Sequence, residues 1–547
     1  MSRIAIHGIR EIINPHPWLI TILHPPPSTF MLTSARFVLA SLAVALLPGG
    51  CDRPRGDFEQ VVASGVPFDL WIRGGAVIDG SGSSARNADV LVRGDSIVYV
   101  GAVDADRVEA TTVIDADGKV VAPGFIDPHS HGDPLNSPEM RNFLAMGVTT
   151  ITLGQDGSSP HFPDIRVWMD SVDAARPGAN VAMFVGHGTI RGMSGIGNDV
   201  NPAPAQIDSM ESLLAGQFQA GAFGLSTGLE YTPGAYAGDT ELLPLAEVTG
   251  EAERVVMSHM RTEDDDTVES AIRELLRQGQ HASVHVSHLK VVYGKGAERA
   301  REILALLDSA RTAGITVTAD VYPYTASYTG IGIVFPLWAK GSADYDDVVR
   351  TRRAELAAYL RERVNQRNGP DATLIGTGEF AGQTLAEVAD QLEKPFEDVL
   401  IDNFGPSGIS GAYFVMDEEL QQTLAQDPHV MFSSDGSAGG YHPRGHGTFA
   451  KVIEDYVVGK KLMTLEEAIR KMTSLTASVV GIRDRGLLEA GFRADIVVFD
   501  PTAVHAPATY AEPHQLAQGF DHVFVNGEPA IRDGAFTDVR AGRMLRR

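Results

Sequence analysis

The stretch VVAPGFIDPHSHGD, residues 120–133, decides the fold. A β-branched run ends at Pro123 and Gly124, and a second short run, Phe125-Ile126-Asp127, then delivers His129 and His131. Residues i and i+2 of an extended chain point the same way, so His-x-His at a strand end aims two imidazoles at one point, as a metal ion requires. With 17 histidines in 547 residues, roughly half of one such pair is expected by chance. The surrounding pattern therefore has to carry the reading.

Downstream of this stretch, short apolar runs alternate with helical ones, the pattern of a parallel α/β fold. Eight strand candidates end near His131, Thr152, His187, Ser226, His259, His288, Asp320 and Asp435. Eight close a (β/α)₈ TIM-like barrel, whose catalytic groups sit at the C-terminal ends of the strands. His259 in VVMSHMR and His288 in VHVSHLK each close a β-branched run of their own. One such histidine is ordinarily a core residue satisfied by a carbonyl; four at strand ends of one barrel point to a metal centre. His285, three positions before His288, faces the other side of its strand and reads as structural.

Carboxylates complete the set. Asp435, in MFSSDG, ends the last strand and is suited to take a proton from an activated water and pass it to a leaving group. Glu230, in GLSTGLEYTPG, and Asp156, in LGQDG, compete for the place between two cations. The acidic run 263–266 reads as solvated, or as a helix start. Gly224-Leu225-Ser226-Thr227-Gly228 has the spacing of a nucleophile elbow, but Pro233 and Gly234 break the helix that an elbow should open.

Composition narrows the chemistry further. There are 45 Lys and Arg against 70 Asp and Glu, a net charge of −25, and no basic stripe, so a nucleic-acid partner is excluded. A hydrophobic fraction of 44% is that of a globular chain. The single cysteine, Cys51, excludes a disulfide framework and a thiolate-built metal site, leaving metal to histidines and carboxylates.

The rest of the chain has other textures. Strand-like runs separated by turn signals occupy 67–122 and return over 488–535, where Asn526-Gly527 is a hairpin signal, so the two ends are expected to build one small β domain. Gly80-Ser81-Gly82 is followed by a strand pattern, not a helix, and reads as a turn instead of a dinucleotide site. The barrel is assigned to 123–487, with an insertion over the site at about 326–426 that carries a charged helical segment, 345–365. Residues 1–51 are read as a leader: the apolar run 37–47 is too short to span a membrane and fits a signal-peptide core leading to Gly49, Gly50 and Cys51. That arrangement is one in which bacterial lipoproteins are cleaved and lipidated, although Pro48 departs from the usual pattern. The expectation is an exported bacterial protein, periplasmic or held to a membrane by a lipid at Cys51, with Met31 the tidier start and 1–30 absent from the mature chain.

VVAPGFIDPHSHGD, the strand-end histidines, and SSDG with RGLLEAGFRADIVVFDP resemble the amidohydrolase superfamily. Within it GAFGLSTGLEYTPG, ADVYPYTAS, HPRGHGTF and LEEAIRKMTSLTA resemble the D-aminoacylase, or N-acyl-D-amino-acid deacylase, family over about residues 68–533. The resemblance implies a metal-dependent hydrolase barrel with a small β-sandwich domain formed by both chain ends, and one or two zinc ions. It implies hydrolysis, by metal-activated water, of the amide bond of N-acyl amino acids, D-configured where the family's preference carries over, or of short peptides. His129, His131, His259 and His288 would be metal ligands and Asp435 both ligand and catalytic base. Lys290, Tyr324 and Arg444 fall in motifs that carry substrate contacts, and Arg444 matches a substrate carboxylate in charge and shape. Family members often carry a metal-binding Cys in GNCG, where this chain has Gly154-Gln155-Asp156-Gly157. Either Asp156 supplies a harder oxygen ligand or the bridge moves to Glu230; Glu230 is the choice made here. Two other readings stand beside this one: a cyclic-amide hydrolase like the hydantoinase and dihydroorotase relatives, and a catalytically silent binding protein on the same barrel.

Overall fold

The computed structural model describes residues 57–547; the expected leader and Cys51 lie outside them. Eight parallel strands form the barrel: Phe125–Asp127, Val148–Leu153, Asn180–Met183 continued by Val185–Gly186, Gly224–Gly228, Val255–His259, Ser283–Val286, Val317–Val321 and Val430–Phe432. They are close to uniformly apolar because helices outside and side chains inside bury both faces; Val255–His259, for example, is buried at every position. Intervening helices show the complementary pattern. Val268–Gln278 buries Val268, Ala271, Ile272 and Leu275, the spacing of one helix face.

The barrel closes between the eighth and first strands beyond their assigned ends. Asp435 N–H donates to the His129 carbonyl and His131 N–H to the Gly436 carbonyl, each at 2.8 Å. Closure and site are thus the same few residues.

The two chain ends join in one nine-stranded sheet. Phe68–Val77 pairs with Arg86–Arg93 antiparallel and with Ala110–Asp115 and Val120–Pro123 parallel. Ile496–Phe499 bonds to Val120–Pro123 and carries Phe520–Val525 and Glu528–Arg532 beyond it. Leu488, Ile496, Val498 and Phe524 from the C-terminal segment share one core with Ile72, Val90 and Val121. Asn526 and Gly527 turn the hairpin with φ of 51° and 82°, the paired left-handed conformation that selects Asn-Gly.

Between the seventh and eighth strands lies a small antiparallel sheet, Ser327–Gly330, Ser410–Tyr413 and Thr373–Ile375, with the helix Tyr345–Gln366, broken at Arg352. These pieces bury a core of their own around Phe335, Leu356, Leu360 and Leu400. The helix Glu418–Ala425, expected inside the insertion, packs instead on the barrel helix Gly296–Thr312. No helix among the described residues is long and apolar enough to cross a membrane.

Candidate metal centre and active site

His129 and His131 extend the first strand, and their rings stand 5.3 Å apart over the barrel mouth. His259 ends the fifth strand, while His288 follows the sixth. Asp435 Oδ1 lies 3.0 Å from His131 Nε2 and 3.7 Å from His129 Nε2. Asp156 Oδ1 lies 3.3 Å from both His129 Nε2 and His288 Nε2 and 3.9 Å from His259 Nδ1, and its other oxygen is 3.4 Å from His131. Asp156 is therefore the carboxylate within reach of all four imidazoles. The atoms fall into one group of His129, His131, Asp156 and Asp435, a second of Asp156, His259 and His288, and a third, sharing His259, of Glu230, His259 and Glu263.

Glu230, chosen from sequence as the bridge, does not lie between the two pairs. It meets His259 from outside, at 3.2 Å from Nε2. Nδ1 of His259, on the other edge of the ring, lies 3.0 Å from His288 Nε2 and 3.9 Å from Asp156, so Glu230 stands where an orienting carboxylate would. Behind His288, Glu263 Oε1 lies 3.1 Å from Nδ1 and 2.6 Å from Lys290 Nζ, which itself stands 2.7 Å from Nδ1. Against the expectation of a solvated run or a helix start, Glu263 is buried; its cation, Lys290, comes from the segment after the sixth strand.

The donor set fits a cation. Two ligands bonded at about 2.0–2.2 Å around a tetrahedral zinc stand roughly 3.4 Å apart, and the nitrogen–oxygen separations here run from 3.0 to 3.9 Å. His129 is fully buried, and neither ring nitrogen makes a hydrogen bond. Burial pushes the Asp156 carboxyl up, but the imidazoles of His129, His288 and His131 outweigh it and hold the group well below its usual range. Burial likewise acts against charge on His131, but its hydrogen bonds to Asp156 and Asp435 raise it to about 9. A cation among these groups takes the place of such protons.

Three of these residues have left-handed backbone: Asp156 at φ 53°, His288 at 35° and Asp435 at 47°. Non-glycine residues held so are uncommon and gather at functional sites. The loop bearing Asp156 is pinned from the fourth strand, where Ser226 Oγ accepts from Gly157 N–H at 3.1 Å and donates to the Gly154 carbonyl. The elbow-like serine is thus a loop anchor. At Gly157 (φ 75°) a Cβ would stand 2.7 Å from the Gly228 nitrogen, so only glycine permits that approach.

Above the centre opens a cavity of about 1060 Å³, lined among others by Tyr231, Lys290, Tyr328, Arg367 and Arg444. Arg444 Nη1 pairs with Asp435 Oδ2 at 2.6 Å, and Nη2 donates to the Tyr328 carbonyl at 3.0 Å. Tyr324, expected at the substrate, is instead buried behind His442 and Tyr510. Its N–H donates to the Tyr322 carbonyl at 3.0 Å, a tight turn at Pro323 that redirects the side chain. Tyr322 takes the position beside both cations, its ring centroid 5.0 Å from Arg444 and 5.8 Å from Lys290. Sequence reasoning passed over Tyr231, whose ring lies 4.4 Å from that of His259; it directly follows Glu230, which was the available signal. His285 is buried within the barrel between Thr318 and Asp320, at 2.7 and 2.6 Å.

Residues 339–531 match the model of the Amidohydrolase family. N-acyl-D-glutamate deacylase of Alcaligenes xylosoxydans xylosoxydans is 35% identical over 506 residues, 88% of this chain and 97% of the relative. D-aminoacylase of the same organism is 35% identical over 515 residues, 88% and 98% of the two chains. The chain belongs to the N-acyl-D-amino-acid deacylase family of amidohydrolases. Among solved structures, N-acyl-D-glutamate deacylase of Bordetella bronchiseptica, with zinc and a phosphonate mimic of the tetrahedral intermediate, superposes with a TM-score of 0.76 at 33% identity, covering 88% of this chain and all of that one. L-hydantoinase of Arthrobacter aurescens, at 18% identity and a TM-score of 0.53, shares the fold alone. Where the resemblance led to the expectation of a cysteine, this chain carries Asp156, the carboxylate that reaches all four imidazoles.

Proposed function

We infer that this protein is a metal-dependent deacylase that hydrolyses the amide bond of N-acyl-D-amino acids to a carboxylate and a free D-amino acid. The observation that carries the reading is Asp156 standing between two histidine pairs, with Asp435 closing one of them. Zinc, as one or two ions held by His129, His131, Asp156, His259, His288 and Asp435, would supply Lewis acidity toward the scissile carbonyl and toward water.

The chain's own groups do the rest. Asp435, which Arg444, His288 and His131 keep ionised against the pull of burial, accepts the proton of the attacking water at Oδ1 and returns it to the departing amine nitrogen. Arg444 and Lys290, at the cavity wall, hold the substrate's free carboxylate so that water and carbonyl meet in line. Tyr231, whose hydroxyl burial keeps protonated, donates a hydrogen bond to the carbonyl oxygen as charge gathers there.

Elemental analysis beside a panel of N-acyl D- and L-amino acids, with free amine as the readout, tests this. The expected result is bound zinc and chelator-sensitive release of D-amino acids. Ring opening of hydantoins in excess of acyl-amino-acid hydrolysis would transfer the site to the cyclic-amide reading. We also propose export with lipidation at Cys51, supported by the apolar run 37–47 and the small residues after it. An uncleaved, cytoplasmic N-terminus in a chain expressed with its own leader would overturn that.

A further inference from the structure

The cavity is divided by chemistry. Lys290, Tyr328 and Arg444 line one sector of the mouth from beyond the sixth, seventh and eighth strands, and Leu135, Leu153, Phe162, Trp168 and Met183 line a second, from the ends of the second and third strands and the segments that follow the first and second. Several polar groups in this second sector bond within the protein, although Gln155 Oε1 has no partner. Ser159 Oγ accepts from Gly186 N–H at 3.0 Å, Thr189 Oγ1 accepts from Ser159 N–H at 2.9 Å, and Asp133 takes Leu135 N–H and the Asn136 amide at 2.9 and 2.8 Å. Beside them the cavity meets hydrocarbon, an indole and a thioether. Leu135 stands at the rim, 39% exposed, so the apolar wall runs from the metal centre outward to solvent.

An N-acyl amino acid is linear about its scissile carbon: the free carboxylate lies on the amine side and the acyl chain on the other. With the carboxylate on Arg444, the acyl chain must run along the apolar wall. A cavity of about 1060 Å³ slightly exceeds the range that buries a drug-sized molecule, about 300–1,000 Å³, and an acetyl group would leave the wall bare. We propose that this deacylase is built for long aliphatic or aromatic N-acyl groups, with Phe162, Trp168 and Met183 as the residues that read the acyl chain. The inference rests on the deacylase reading and adds the acyl class to it.

The test is kcat/KM for acetyl, butyryl, hexanoyl, octanoyl, decanoyl and phenylacetyl derivatives of one D-amino acid, on the metal-loaded protein. Each methylene laid on the wall is expected to raise kcat/KM about three- to fourfold, levelling off once the chain passes Leu135. Phe162→Ser and Trp168→Ala should each flatten that rise and leave the ranking of amino-acid side chains unchanged. Phe162 is half-buried, so its variant reports even if the more deeply packed Trp168→Ala unfolds. A flat profile with measurable acetyl turnover, or a rise that neither variant alters, overturns the acyl assignment and leaves the deacylase standing. Turnover of no member of the series overturns the deacylase reading itself.

Discussion

At Asp435 one side chain meets three demands: its backbone is left-handed at φ 47°, Oδ1 faces His131 and Oδ2 faces Arg444. Asn adopts this backbone as readily as Asp, so Asp435→Asn removes the proton acceptor without disturbing the turn. The variant is expected to keep its fold, with a lower thermal midpoint because buried Arg444 loses its carboxylate, while kcat falls on the order of 10²–10⁴-fold; near-normal turnover would remove Asp435 from the proton path. Asp156→Asn is informative in the same way. It leaves four imidazoles around a neutral amide, so metal retained after equilibrium dialysis should fall below that of the unaltered protein. Unchanged metal content would show that the two histidine pairs bind without a shared anion.

Elements differ in how much of their role local sequence reveals. The strand-end histidines were legible because period-two alternation and strand position lie within a few residues of one another. Asp156 and Glu230 both follow strands, and which of them turns inward depends on the positive φ of Gly154 and Gly157 and on the Ser226 anchor, which joins two strands. The Tyr322 and Tyr324 exchange has the same origin, a turn at Pro323 that ends the alternation. The helix Arg444–Lys451 carries a further consequence of long-range packing. His446 is buried on it with Nδ1 unpartnered, its ring 5.2 Å from that of His514. Burial, with a smaller contribution from His514, lowers its pKa to about 4. The unfolded chain, with an ordinary pKa of about 6.5, therefore binds more protons than the folded one between those values. Stability from this group is complete above about pH 6.5 and is lost as pH falls toward 4, by up to a few kcal/mol. His446→Gln should show a smaller drop in thermal midpoint between pH 7 and pH 4 than the parent, and an equal drop would exclude this histidine as the cause.

For the whole molecule, the sheet made by the chain ends has to hold still against a barrel whose mouth needs sub-ångström order. A buried polar knot joins them. Asp495 accepts from Asn526 N–H at 2.7 Å and from the Asn180 amide at 3.1 Å, and it also pairs with Arg485. Arg485 in turn donates to Asn526 Oδ1 at 2.8 Å. Asn180 opens the third barrel strand, whereas Asp495 and Asn526 flank strands of the end sheet. Arg485 and Asp495 are both nearly excluded from solvent, so removing the carboxylate strands a guanidinium in a medium that cannot solvate it. Asp495→Ala is expected to cost about 3–5 kcal/mol, most of it the unpaired charge and not the lost attraction. Adding Arg485→Met should then recover part of that loss, because the second substitution removes the stranded charge. Urea unfolding of the parent, the single and the double variant decides the matter: a double variant less stable than Asp495→Ala alone would mean that Arg485 holds the two units together through its bond to Asn526, independently of its ion pair.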